Sequence, residues 1–328
     1  MELTLTTAGS YPRIGDAPDL QRHRQAYGQR ERGELSPAAF GEVEDEVTAV
    51  AIREQIEAGI ELVTDGQIRW YDPYSHLARR LEGIEINGLL RLFDTNVYFR
   101  QPVVRGRVHR RGPILLPEYE FARSVSSRPI KPVLTGPYTL ARGSILGGAY
   151  ASVHALALAY ADPLAQEVRD LAGAGATVIQ VDEPAILRHP EDLNVLEEAL
   201  APLAAERGTS RLMLHTSFGD VTPLYRDLQA MPVDVLGLDF TYGPKLAMLI
   251  AETGSDKSLA LGLIDARNTK LETREGVFPI LDTVLPALKV GQAFLMPSCG
   301  LEFLPRDRAR QKLETMKRLR DAYLGGRS

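Results

Sequence analysis

Eight short apolar runs, each ending on or shortly before a polar or reactive side chain, limit what this chain can fold into more than any other feature. In order they are Leu3–Thr7 leading to Ser10, Ile60–Thr64 to Asp65, Pro132–Leu134 to Thr135, and Thr177–Val181 to Asp182 and Glu183. The second half gives Arg211–Leu214 to His215, Val233–Leu238 to Asp239, Leu259–Ile264 to Asp265, and Ala293–Met296 to Cys299. Helix-like stretches separate most of them. Strands alternating with helices predict a parallel sheet with right-handed crossovers, and eight such units close a barrel. The expected fold is therefore α/β, a (β/α)8 TIM barrel. Its strands deliver their C-terminal ends to one mouth, so the polar termini read as a single site.

The 328 residues fit one barrel domain spanning 1–328. The stretch Gly66–Arg128 is too long for a simple connection after the second run, and 66–130 is expected to lie over the mouth as an insertion. Within it, Leu92–Arg100 and Pro102–His109 carry β-branched and aromatic residues around a Gln101-Pro102 break, which predicts a β-hairpin. A helix from about Pro117 to Val125 follows. Elsewhere Ser36-Pro37 predicts a capped helix start running to about Glu57. Pro163 marks a break in the helical stretch Ala149–Ala172, and the final helix is expected over Arg306–Tyr323.

Net charge is −5, from 38 basic and 43 acidic residues mixed along the chain, so no basic stripe points to nucleic acid or a membrane surface. One cysteine cannot form an internal disulfide, which fits a reducing compartment. Met1–Ser10 does not have the pattern of a signal peptide, and no apolar run reaches the roughly 18 residues of a membrane span. These features predict a cytoplasmic protein.

His215 and Cys299 are the side-chain types zinc prefers, and Asp239, at an intervening strand end, offers a carboxylate oxygen. The same residues are also compatible with polar groups packed in the mouth. Asp182 and Glu183 are adjacent at a strand end, so one should face inward, where a carboxylate grips a substrate ammonium. Ser10 can offer its hydroxyl to an anionic ligand. Asp65, Gln67, Asp265, Arg267 and Asn268 complete the polar ring, with Arg13 and Arg267 as candidate anion binders. Trp70-Tyr71 and Tyr98-Phe99 are candidates to line the insertion side. There is no Gly-x-Ser-x-Gly elbow, P-loop, dinucleotide fingerprint or His-Glu-x-x-His motif.

Several motifs, in order, resemble cobalamin-independent methionine synthases. They are Gly9-Ser10-Tyr11-Pro12-Arg13-Ile14-Gly15, Phe93-Asp94-Thr95-Asn96, Lys131-Pro132-Val133-Leu134-Thr135-Gly136-Pro137, Val181-Asp182-Glu183-Pro184-Ala185, Gly262-Leu263-Ile264-Asp265-Ala266-Arg267-Asn268 and Pro297-Ser298-Cys299-Gly300. The resemblance covers nearly the whole chain. The full-length enzyme has two barrels, so this chain is similar to its single-barrel relatives. The resemblance implies methyl transfer to a zinc-activated thiol, homocysteine giving methionine, with zinc at His215, Asp239 and Cys299. It further implies that Ser10 and Asp182 hold the substrate, with Gln67 at an amino-group ligand's place and Arg267 where a residue assists proton transfer. Glu183, beside Asp182, is a further candidate at the substrate and Asp265 a further candidate for the chemistry. The methyl donor would be methylcobalamin, a corrinoid protein or methyltetrahydrofolate.

The sequence also departs from the catalytic pattern. Ser217 replaces a Cys ligand, Asp239 a Glu ligand, Gln67 a Glu that binds the amino group, and Arg267 a His. Phe93-Asp94-Thr95-Asn96, Phe218-Gly219-Asp220 and Gly237-Leu238-Asp239 look more like the non-catalytic N-terminal barrel. A ligand-binding barrel without metal chemistry is therefore the alternative. A tetrapyrrole decarboxylase fits less well, since no arginine-rich entrance is present.

Overall fold

The computed structural model describes residues 2–326. Seven parallel strands form the main sheet: β1 (Glu2–Leu5), β4 (Val133–Thr135), β5 (Val178–Asp182), β6 (Arg211–Thr216), β7 (Val235–Asp239), β8 (Ser258–Ile264) and β9 (Gln292–Pro297), in the order β1-β9-β8-β7-β6-β5-β4. β2 (Leu81–Arg91) and β3 (Tyr98–Arg110) make a separate antiparallel hairpin. The gap between β1 and β4 is filled by Leu62-Val63, through parallel bridges Thr6–Leu62 and Val63–Ile130. That segment is the eighth stave, so the chain is a (β/α)8 barrel with helices around it.

This seam is held largely by side chains. Gln55, buried on the helix Pro37–Glu57, accepts from the Thr64 N–H (3.1 Å) and the Thr7 hydroxyl (2.9 Å) and donates to the Thr64 carbonyl (2.9 Å). The Thr6 hydroxyl donates to Leu62 O and the Thr64 hydroxyl to Gly9 O, both at 2.7 Å. Polar side chains thus supply pairing that a longer strand would have provided through its backbone.

Strand periodicity sets the interior. On β5, Val178 joins Ala8, Leu62, Met213, Val235, Ala260, Phe294 and Met296 in a buried cluster of its own. Ile179 and Val181 belong instead to the main core. Alternation therefore turns Val178, Gln180 and Asp182 into the barrel and their neighbours outward toward the helices.

The Ser36 cap forms as the sequence predicts: its hydroxyl accepts from the Ala39 N–H at 3.2 Å and the helix runs Pro37–Glu57. The helix expected to break at Pro163 instead runs unbroken over Val153–Gly173. Apolar residues on both sides of the proline, Leu156, Tyr160, Leu164 and Val168, are all buried and hold it against the barrel. The hairpin is present, but its strands are displaced from the predicted ones. Leu92–Val97 forms its turn, with Leu92 N–H donating to Val97 O at 2.8 Å. Pro102 sits inside β3 opposite Ile86, and its carbonyl accepts from Ile145 N at 2.9 Å. That bridge to Ile145 uses the Pro102 carbonyl and the Val104 N–H, so the missing proline N–H costs no bond there. No helix among the described residues is long and apolar enough to cross a membrane.

Candidate functional site

Asp182 and His215 are register partners at the ends of β5 and β6. Their side chains meet, His215 Nδ1 lying 3.1 Å from Asp182 Oδ1. Gly237, opposite His215 on β7, leaves room for the ring: a Cβ there would stand 3.0 Å from His215 Cδ2. Below them Gln180 donates to Asp182 Oδ1 at 2.7 Å and to Ala8 O at 2.6 Å. Lys131, wholly buried, donates to Gln180 Oε1 and to Thr7 O (2.7 Å). Burial pulls the Lys131 ammonium down to about 7, against the attraction of Asp182.

Glu183, one residue on, faces outward. Its carboxylate accepts from Tyr138 N at 2.9 Å and Thr139 N at 2.7 Å, at the start of the helix Pro137–Gly143. Glu183 is not among the pocket-lining residues, and its oxygens satisfy helix N–H groups that would otherwise be unpaired. Burial pushes its carboxyl up to about 7, while those hydrogen bonds oppose the shift.

Above the Asp182–His215 pair lies a cavity of about 60 Å³, lined by Ser10, Gln67, Asp182, His215, Ser217 and Cys299 among others. Three phenylalanines from separate loops cover it. Phe93, in the hairpin turn, stacks on Phe218 at 5.3 Å, and Phe218 meets Phe303 edge-on at 5.8 Å. Arg188 lies over the Phe93 ring at 4.8 Å. Among the described residues, the non-glycine positions with positive φ are Gln67 (50°), Phe93 (49°) and Phe218 (66°), and all three line this cavity. Left-handed backbone is disfavoured for such side chains, and its concentration here marks a built site. Gly300 matters too, because a Cβ at that position would come 1.9 Å from Ser10 Oγ.

Zinc would need an imidazole lone pair, a thiolate and further oxygen or sulfur donors converging on one point. His215 Nε2 lies 3.3 Å from the Ser298 carbonyl, and Nδ1 lies 3.1 Å from Asp182 Oδ1 and 3.5 Å from Gln180 Nε2, so each nitrogen already faces a hydrogen-bond partner. Asp239 Oδ1 accepts from Thr241 N (2.9 Å) and the Thr241 hydroxyl, and Oδ2 accepts from Phe218 N (3.3 Å). The Cys299 thiol is buried against Gly300 O, and burial, with Asp239 beside it, pushes its pKa well up. Among the described residues no group of three His, Cys, Asp or Glu side chains is placed to hold a metal ion. As arranged here, His215, Asp239 and Cys299 do not fit zinc. Asp239 is taken up by the loop that carries Phe218, and a serine stands at position 217.

The remaining predicted residues lie around the rim. Asp265 closes its own loop, accepting from Arg267 N (2.9 Å) and from the Asn268 amide, and it does not line the cavity. Arg267 reaches outward instead: it pairs with Asp94 of the hairpin turn at 3.1 Å and lies over the Tyr242 ring at 4.3 Å. The Tyr242 hydroxyl donates to the same Asp94 at 2.8 Å. Asp65 accepts from Gln67 N at 3.0 Å, and burial raises its carboxyl to about 6. Arg13 is bound to the carbonyls of Gln67, Ile68 and Trp70.

Beside the cavity, and sharing Glu302 and Phe303 with it, runs a groove of about 1510 Å³. Trp70, Tyr71 and Tyr98 line the groove, whereas Phe99 is buried against Tyr74 at 4.1 Å. Arg100 lies over the Tyr71 ring at 4.6 Å, and Arg24, Arg30 and Arg79 also face the groove. Sequence reasoning missed Lys131, Gln180 and the phenylalanine cover. A signal for one was present, since Gln180 is the polar residue inside an otherwise apolar run.

Residues 3–321 match the family described as "Cobalamin-independent synthase, Catalytic domain". The methionine synthase of Saccharolobus solfataricus is 30% identical over 318 residues, 96% of this chain and 92% of that protein. That of Sulfurisphaera tokodaii is 33% identical over 319 residues, covering 96% and 90%. Among solved structures, a B12-independent methionine synthase from Shewanella sp. W3-18-1, in complex with selenomethionine, superposes with a TM-score of 0.80 at 22% identity, covering 99% of both chains. The barrel, the ordered motifs and these matches together show that the chain belongs to the catalytic-domain family of the cobalamin-independent methionine synthases.

Proposed function

We propose that this protein is an S-methyltransferase that binds homocysteine in the covered cavity and converts it to methionine. The observation that carries this reading is that Ser10 and Asp182 line one small cavity with His215 and Cys299. A zwitterionic acceptor needs a carboxylate for its ammonium and donors for its own carboxylate, and Asp182 and Ser10 supply one of each. The selenomethionine in the Shewanella protein supports an amino acid of this shape. Phe93, Phe218 and Phe303 cover the cavity, and over a bound acceptor they would exclude water from its sulfur.

The adjoining groove is proposed to receive the methyl donor, either methyltetrahydrofolate or a methylcorrinoid, free or carried on a protein. In the transfer a carbon–sulfur bond forms as the donor–methyl bond breaks. With methyltetrahydrofolate the thiol proton ends on the donor nitrogen. With a methylcorrinoid the cobalt keeps the bonding electron pair and the proton leaves to solvent. His215 and Asp239 are engaged in hydrogen bonds in this arrangement.

That same engagement favours a second reading, a barrel that binds the amino acid without methylating it. Methionine formation is measured with homocysteine and each donor in parallel, with and without added zinc, alongside calorimetric binding of homocysteine. Methionine formed with either donor supports the proposal. Binding without turnover under every condition supports the second reading, and absence of both defeats the amino-acid site altogether.

A further inference from the structure

Lys131 takes no part in the proposed methyl transfer, yet it is buried completely in the barrel interior with no carboxylate in direct contact. Its acceptors are Thr7 O and Gln180 Oε1, and Met213 Sδ lies 4.0 Å away. Burying an amine there is costly, so a compensating role is to be expected.

The chemistry of the contacts gives that role a direction. As an ammonium Lys131 can only donate, and Gln180 presents its oxygen to it. Its amide nitrogen then points the other way, with one hydrogen on Ala8 O and the other on Asp182 Oδ1. If the amide flipped, the amide oxygen would face a carboxylate and the NH2 group would face an amine. Lys131 therefore locks the Gln180 amide, and Gln180 holds one oxygen of Asp182 in place against His215. Asp182 Oδ2 remains as the oxygen without a part in these bonds, on a side chain that lines the cavity.

We infer that Lys131 is a positioning residue for acceptor binding, fixing the Asp182 carboxylate through Gln180 so that it receives the acceptor's ammonium. The inference rests on the amino-acid reading of the cavity given above.

The test compares L-homocysteine with 4-sulfanylbutanoate, which keeps the thiol and carboxylate but lacks the amino group. Both are titrated calorimetrically, under reductant, into the parent, Lys131→Met and Gln180→Glu. Lys131→Met removes the donor at similar length. Gln180→Glu keeps Lys131 paired while turning the atom that faces Asp182 from a donor into an acceptor, and it serves should Lys131→Met fail to fold. Each variant should weaken homocysteine binding about tenfold, the scale of one charge-assisted hydrogen bond disturbed, and leave 4-sulfanylbutanoate unchanged. Equal losses for both ligands, or undiminished homocysteine binding in folded variants of a parent that binds it, overturn the inference alone. A parent that binds no homocysteine overturns the amino-acid reading and this inference with it.

Discussion

Asp182 and Glu183 are adjacent carboxylates, yet strand alternation sends one into the cavity and the other to the start of a helix. The consequences of substitution should differ accordingly. Glu183→Ala leaves the Tyr138 and Thr139 N–H groups unpaired in a buried setting, and should cost about 1–3 kcal/mol in urea unfolding. Homocysteine affinity of the folded variant should be unchanged, and a selective loss of affinity would return Glu183 to the substrate. Asp65 gives a pH-dependent counterpart. Burial raises its folded pKa to about 6 from an ordinary value of 3.8. Its contribution to stability is thus fully present below about pH 4 and lost as pH rises through 6. Asp65→Asn keeps the oxygen that accepts from Gln67 N but cannot ionise. Its stability relative to the parent should therefore rise between about pH 4 and 6 and then level off, and a flat difference across that range would refute the assignment.

At the scale of elements, the strands were legible because each pairs an apolar run with a polar terminus, and that pattern survives without knowledge of the partners. The hairpin was legible only in kind. Leu92–Val97 has the composition of a strand, but a turn forms there because Phe93 is drawn over the mouth and Asp94 is held by Arg267 and Tyr242. Those contacts join residues 148 and 173 positions apart, which no local pattern encodes. Arg267 is accordingly placed as a clamp on the insertion. Because Asp94 is half exposed, Arg267→Ala and Asp94→Ala should each lower global stability by less than about 1 kcal/mol. Both should speed proteolysis at Leu92–Val97, and the double variant should be no faster than the singles. Additive effects in that cycle would show that the two residues act separately.

On the scale of the whole molecule, the barrel and its mouth followed from counting units, whereas the metal assignment did not carry over from composition to geometry. His215 and Cys299 do reach the same cavity, as their strand ends required. What the sequence could not reveal is which hydrogen bonds their lone pairs and protons would already be making. The eighth stave shows the same limit from another side. Ile60–Thr64 reads as a strand like the others, but only Leu62 and Val63 bridge to neighbours.

Pairing through backbone groups survives most substitutions, because every residue but proline carries them. The stitching at Thr6, Gln55 and Thr64 does not. Gln55→Leu would leave the Thr64 N–H and carbonyl buried without partners, a loss of roughly 2–4 kcal/mol for groups of this kind. Hydrogen exchange should register it first at the Val63 and Lys131 amides, well before β6 to β8, and uniform acceleration across all staves would contradict a local effect. Ser10 and Gln67 flank this joint, so the part of the barrel nearest the proposed acceptor is also the part whose closure a single point mutation can rewrite. In a lineage of such barrels, drift at three polar positions would retune how readily the mouth breathes while leaving the remaining staves intact.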